Sequence, residues 1–190
     1  MSRTTLPSLA LFESAPLMTV KIPDLRPYQD KAIKITREHV TRGKKRILLT
    51  GPCGSGKTVV FSAIIRTSTV PVLFVCHRIE LIDQCCSQLA RQGITNIGVI
   101  RADDPRTNPN ASVQVASIQT LARREKPKAG IVICDEAHRS SADSWQDHVF
   151  TPYRDAIILG FTASPCRNDG RPLDYEELVV FATYQELFTP

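Results

Sequence analysis

The chain has 190 residues, 42% hydrophobic and 23% charged, which is enough to bury one sizeable core. Lys and Arg outnumber Asp and Glu by 24 to 19, a modest positive excess that suits a polyanion partner without demanding one. No apolar stretch approaches the ~20 residues of a membrane span, and no pair of the six cysteines has the C-x-x-C spacing of a zinc site or redox motif, so these classes are set aside and a reducing, cytoplasmic setting is expected.

Residues 1–22 carry no periodic pattern and read as a loose N-terminal arm, with either Met1 or Met18 as the start. Tyr28, Ala32, Ile35 and His39 fall on one face at helical spacing, which predicts a helix over 27–42 stopped by Gly43. Arg46–Thr50 is a short apolar run and reads as a buried strand, and Val59–Ile65 reads as a buried helix. A second strand is expected over 71–76, followed by a helix from Arg78 to about Gln92. That helix would carry Ile82, Cys85, Cys86 and Leu89 on its apolar face. Further strands are expected over 97–100, 113–117, 131–134 and 156–161. Between them lie a short helix near 118–124 and a helix with Trp145, Val149 and Tyr153 on one side, capped by Ser140 or Ser141. The tail from Leu173 to Phe188 mixes acidic and apolar residues and is read as a connecting helix. Apolar strands alternating with helices give an α/β fold with a mostly parallel sheet flanked by helices in three layers.

Two motifs carry chemistry. Gly51-Pro52-Cys53-Gly54-Ser55-Gly56-Lys57-Thr58 reads G-x-x-x-x-G-K-T between a strand and a helix, the setting of a P-loop NTPase. The glycines let backbone N–H groups turn around phosphates, and the helix N-terminus adds partial positive charge. Lys57 is expected to reach the β- and γ-phosphates of a nucleotide, and the Thr58 hydroxyl to ligate Mg²⁺. The second motif is Asp135-Glu136-Ala137-His138 at the end of an apolar strand. Asp135 is placed to hold Mg²⁺ and Glu136 to orient the attacking water. Cys53 lies inside the phosphate loop, so its alkylation is expected to block nucleotide binding. Two basic clusters remain, Arg42, Lys44, Lys45, Arg46 and Arg123, Arg124, Lys126, Lys128. Charge alone leaves both open as polyanion contacts or solvated loop edges.

Five blocks in this order resemble the first motor (RecA-like) domain of superfamily-two DEAD/DEAH-box helicases, most of all the branch with restriction-enzyme motor subunits. Around the phosphate loop they are Leu25–Gln29, Cys76–Gln84, Val115–Leu121, Asp135–His138 and Gly160–Pro165, with Arg167–Arg171 also typical of the branch. The resemblance implies an ATP-binding domain over 23–172, with 173–190 a tail or the start of a connection to a second RecA-like domain. It implies ATP and Mg²⁺ as ligands. Gln29 would hydrogen-bond adenine with Arg26 close to the base. Arg78, Ser117, Gln119 and Thr120 would line a nucleic-acid groove, DNA favoured over RNA. His138, Thr162 and Ser164 would couple the nucleotide to that groove, with Ser164 standing where Thr is also common. An ATP-gated nucleic-acid-binding module and a P-loop ATPase without nucleic acid are the alternatives.

Overall fold

A computed structural model describes residues 25–139, 142–166 and 173–188. The expected arm, the Ser140 and Ser141 caps and the 167–171 block lie outside the described residues. Seven strands form one sheet: β1 (Arg46–Thr50), β2 (Val72–Cys76), β3 (Ile97–Ile100), β4 (Val113–Ser117), β5 (Ile131–Asp135), β6 (Ile157–Thr162) and β7 (Glu177–Val180). Their order is β3-β4-β2-β5-β6-β1-β7, and every pairing is parallel.

The central strands are near-continuous apolar runs because both faces are covered, as a parallel sheet requires. One face carries α1 (Pro27–Thr41), α2 (Lys57–Arg66) and α3 (Ile82–Arg91). Phe61 of α2 stacks against Phe74 of β2 and Phe161 of β6, with ring centroids 5.0 and 5.5 Å away. That aromatic knot fixes α2, and with it the phosphate loop, to the middle of the sheet. The other face is covered by α4 (Ile118–Leu121), by α5 (Ala142–Trp145) and by the π-helical turn Gln146–Phe150 that continues it. This is the three-layer α/β sandwich of a P-loop NTPase.

Three differences from the sequence reading have physical causes. The helix expected from Arg78 begins as a 3₁₀ turn at Ile79–Leu81, and α3 proper starts at Ile82. Arg78 itself is extended, with φ −139° and ψ 148°. The helix bearing Trp145, Val149 and Tyr153 buries all three, but through a π turn closed by Thr151 N–H to Gln146 O at 2.9 Å. The tail is the largest difference. Glu177–Val180 is a strand rather than part of a connecting helix, and it pairs with β1 from Ile47↔Glu177 to Thr50↔Val180. Only Val179 of it is buried, against the α1 face, while Leu178 and Val180 are exposed. An edge strand covered on one side, with a glutamate in it, gives no apolar run to read. A short α6 (Tyr184–Phe188) follows.

Candidate nucleotide-binding site

The phosphate loop leaves β1 at Thr50, and the acidic motif leaves β5 at Asp135. Between these two strands runs β6, whose last residue is Thr162, paired with Thr50. Three carboxyl-terminal strand ends therefore lie side by side, and Gly51 N–H donates to Thr162 O at 3.2 Å. In open α/β sheets this end of the strands is where ligands bind.

The loop is built for an anion. Gly56 takes φ 81° as the residue before α2, a left-handed conformation that turns the first helical N–H groups toward the loop's interior. No side chain fits there in any case, because a Cβ on Gly56 would run into the Gln29 amide. Lys57 Nζ donates to Gly51 O at 3.3 Å and Pro52 O at 3.5 Å, so the ammonium sits across the loop. Ser55 Oγ is buried without a hydrogen-bond partner, an orphaned polar atom inside the phosphate loop. Cys53 and Gly54 are exposed at the loop's outer edge, which leaves the Cys53 thiol reachable by an alkylating reagent.

The block before the loop is wired to it. Gln29 is buried, and its Oε1 accepts from Arg26 N–H at 3.0 Å while its Nε2 donates to Ser55 O at 3.1 Å. One amide N–H and one carbonyl lone pair remain for a ligand. Tyr28 OH donates to the same Ser55 carbonyl at 3.2 Å and accepts from exposed Arg26 at 3.0 Å. Tyr28 was read only as a helix-face residue; its tie to the phosphate loop spans 27 residues and has no local signal. Phe181 was missed as well. Its ring lies beneath Gly51, where a Cβ would come within 2.8 Å of Cζ, and its N–H donates to Thr50 O.

Opposite the loop, Asp135 is largely enclosed. Loss of water, followed by the neighbouring Glu136 charge, pushes its carboxyl up to about 6, with Lys57 pulling the other way. A carboxylate so placed fits a divalent cation, whose charge would offset both effects. Glu136 has φ 49°, a left-handed backbone that is uncommon for glutamate and is seen at strained functional turns. Its N–H donates to Asp135 Oδ1 at 3.0 Å. His138 Nδ1 lies 2.7 Å from Thr162 Oγ1 and 3.3 Å from Glu136 Oε2. Thr162 Oγ1 donates its only proton to Ser164 O at 2.7 Å and accepts from Ser164 N–H at 3.0 Å. The proton on the His138–Thr162 contact must then sit on Nδ1. Burial lowers the His138 pKa, so the neutral Nδ1–H tautomer is the favoured one. Hydrogen bonds thus join His138, Thr162 and Ser164, and the Glu136 carboxylate lies against the same His138 nitrogen.

The four residues expected along a nucleic-acid groove divide in two. Arg78 and Gln119 are exposed and adjacent, with Ile79 N–H donating to Gln119 Oε1 at 3.2 Å. Ser117 and Thr120 are buried and turned on each other: Ser117 Oγ caps α4 by accepting from Thr120 N–H at 3.1 Å, and the two hydroxyls lie 2.9 Å apart.

Comparisons with known proteins agree with this geometry. The family model described as "Type III restriction enzyme, res subunit" matches residues 22–167. The IRC3 protein of Saccharomyces cerevisiae, which carries the name of an ATP-dependent helicase, is 32% identical over 175 residues, 80% of this chain and 25% of that protein. The type I restriction enzyme EcoAI endonuclease subunit of Escherichia coli is 27% identical over 157 residues, 74% of this chain and 19% of that one. The chain therefore spans about a quarter or less of these relatives. The UvsW helicase of bacteriophage T4 superposes with a TM-score of 0.67 at 18% identity, covering 83% of this chain and 60% of that one. The Sulfolobus solfataricus SWI2/SNF2 ATPase core, solved with double-stranded DNA, gives 0.62 at 19%, covering 76% and 33%. Among the described residues no helix is long and apolar enough to cross a membrane.

Proposed function

We propose, for a chain that belongs to the family of the type III restriction enzyme res subunit and is a first RecA-like motor domain of the superfamily-two helicases, that it binds ATP and couples its hydrolysis to movement on nucleic acid, DNA in preference to RNA. The observation that carries this reading is the hydrogen-bonded line from His138 through Thr162 to Gly51 of the phosphate loop, with the Glu136 carboxylate 3.3 Å from the same His138 Nδ1. A static nucleotide-binding site has no need of such a link.

In this reading Gly51, Pro52, Cys53, Gly54, Ser55 and Gly56 wrap the phosphates, with Ser55 Oγ finding there the partner it lacks within the protein. Lys57 leaves the Gly51 and Pro52 carbonyls for the β- and γ-phosphates and returns to them afterwards. Gln29 offers adenine its spare N–H and lone pair, a match to the base's own acceptor and donor edge, and Arg26 lies beside it. Thr58 and Asp135 would hold Mg²⁺, which when bound supplies positive charge to the phosphate oxygens. Glu136 accepts a hydrogen bond from the attacking water and turns it in line. Loss of the γ-phosphate alters the Glu136 end of the chain, and His138, Thr162 and Ser164 re-pair. Arg78 and Gln119 contact the nucleic-acid backbone, held in place by the Ser117–Thr120 cap. The unpaired thiols of Cys76, Cys85, Cys86 and Cys134 support a reducing cytoplasm as the place of work.

A second RecA-like domain, in a longer protein or a separate subunit, completes the site in this proposal. An arginine supplied to the γ-phosphate is worth ~10³–10⁵ in rate, so the 190-residue chain alone turns over slowly and does not unwind duplex. The test is ATP turnover with and without single-stranded DNA and RNA, beside Lys57→Ala. A low rate raised by DNA more than RNA, and lost in the variant, is the expected result. A rate indifferent to both nucleic acids makes the chain a P-loop ATPase of another kind.

A further inference from the structure

The second basic cluster is unexplained by the nucleotide site or by the groove at Arg78. It forms one wall of an open cleft of about 630 Å³ on the β3 side of the sheet. The cleft lies between the loop 101–112 and the coil 122–128. Arg124, Lys126 and Lys128 line it, together with Asn108, Asn110 and Arg101. Arg101 is already committed, to Asp83 at 3.1 Å and to Asp104 at 2.6 Å. The other three cations form no ion pair among the described residues. Lys126 Nζ donates to Leu121 O at 3.3 Å and keeps two of its three donors free. Glu125 also lines the cleft, one carboxylate against three uncommitted cations.

The basic coil leaves α4, which carries Gln119, and the cleft it lines extends to Pro71 and Ser112 at the amino-terminal ends of β2 and β4. Gln119 belongs to α4, and Arg123 N–H closes that helix on Thr120 O at 3.0 Å. The bond from Lys126 to Leu121 O then holds the basic coil against the same helix end. Arg78, Gln119, Arg124 and Lys128 are exposed and Lys126 half-buried, and none of them is bonded to an acidic side chain among the described residues.

We propose that the cleft walled by Arg124, Lys126 and Lys128 is an extension of the nucleic-acid path, binding the phosphodiester backbone of single-stranded nucleic acid that leaves the groove at Gln119. The proposal rests on the reading of the chain as a nucleic-acid motor. Contacts of this kind position the strand and read no sequence. They also carry a fixed signature: each phosphate neutralised on a single strand adds about 0.7 to the slope of log affinity against log salt.

The experiment measures binding of the 190-residue chain to fluorescent oligonucleotides, each as DNA and as RNA, of about 6 and about 20 nucleotides, short enough and long enough to separate the groove from its extension. Arg124→Ala/Lys126→Ala/Lys128→Ala is compared with Lys31→Ala/Arg42→Ala/Arg91→Ala, which removes the same charge elsewhere. The expected result is about a tenfold loss for the long strand and a salt slope lower by about 2, with the short strand and the control variant unchanged. The charge-keeping Lys126→Arg/Lys128→Arg variant retains binding. Equal affinity of the two triple variants for the long strand overturns the proposal, as does an equal loss at both lengths. Failure of the unaltered chain to bind either length instead removes the motor reading, and this inference with it. The DNA and RNA arms show which strand the backbone contacts accept.

Discussion

The two basic clusters look alike in the sequence and differ in the fold. Lys44, Lys45 and Arg46 enter the sheet at the foot of β1, where the C-terminal segment and the turn before β6 bring them acids. Lys44 Nζ lies 2.9 Å from Glu177, Arg46 NH1 2.9 Å from Asp174, and Lys45 Nζ 3.5 Å from Asp155. Glu176 accepts both backbone N–H groups, from Lys45 at 2.7 Å and Arg46 at 2.8 Å. Arg124 and Lys128 have no such partners among the described residues. Positive charge in the first cluster is spent on holding β7 in the sheet. In the second it is available to something outside the chain. A count of cations predicts neither outcome, because the partners lie about 130 positions away in one case and are missing in the other.

The sharpest way to break the contrast is to release the acids from the first cluster. Tyr175 anchors them. Its half-buried ring lies edge-on against Phe150 at 5.5 Å, and its hydroxyl takes the place a side chain on Gly160 would fill. Tyr175→Ala removes a half-buried aromatic ring, at or below the low end of the ~3–5 kcal/mol that a fully buried one costs. At ~2–4 °C per kcal/mol for a chain of this size, the thermal midpoint falls by roughly 5–10 °C. The same variant frees Lys44 and Arg46, so non-specific DNA binding rises at low salt. Unchanged binding in a variant that is still folded would mean that pairing is not what keeps the first cluster silent.

The sequence showed most of this fold and part of this site. Six strands and the phosphate loop announce themselves because a doubly covered strand is an apolar run and the loop demands glycines at fixed places. β7 does not, since Val179 alone is buried and Glu177 is tied to Lys44. Asp135, Glu136 and Lys57 were legible as types in register. Their wiring was not. Tyr28 reaching Ser55, Phe181 lying beneath Gly51 and Thr162 standing between the two motifs all depend on strand order, which local pattern does not encode. Ser117 and Thr120 were legible as small polar groups, but their mutual cap turned them inward.

A smaller effect comes from Glu176 alone. Glu176→Ala leaves two backbone N–H groups without their charged acceptor, a loss of ~1–3 kcal/mol reduced by their partial access to water. A drop of a few degrees, well short of Tyr175→Ala, is expected in thermal melting. Acid should do the same work gradually. Glu176 is held below its ordinary pKa by the Arg46 and Lys45 backbone N–H groups against the cost of burial, and Glu177 by its bond to Lys44. Both carboxylates therefore bind protons less readily folded than unfolded. Their contribution is complete above the ordinary glutamate range and is lost as pH falls through it. Asp104, bonded to Arg106 and lowered further than either, adds to the same loss at still lower pH. Melting followed from pH 6 to pH 3 should show stability falling with pH, and less steeply in Glu176→Gln/Glu177→Gln. A parallel fall in that variant would assign the acid sensitivity elsewhere.

The smallest effect is the most discriminating between the two clusters. Lys45 Nζ touches Asp155 at 3.5 Å and Arg154 O at 3.3 Å, with both charged groups substantially in water. Such a pair is worth ~0–1 kcal/mol, so Lys45→Ala shifts the melting midpoint by at most about 4 °C. Lys128→Ala, with no pair to lose, shifts it no more. On stability the two substitutions are therefore nearly indistinguishable. On long-strand binding they separate: Lys45→Ala leaves the salt slope alone, whereas Lys128→Ala lowers it by about 0.7. If both variants lowered the slope alike, charge would be acting at a distance through the whole surface. Partners in the fold would then have no say in which lysines meet nucleic acid, and the difference between the clusters would be one of structure without consequence for binding.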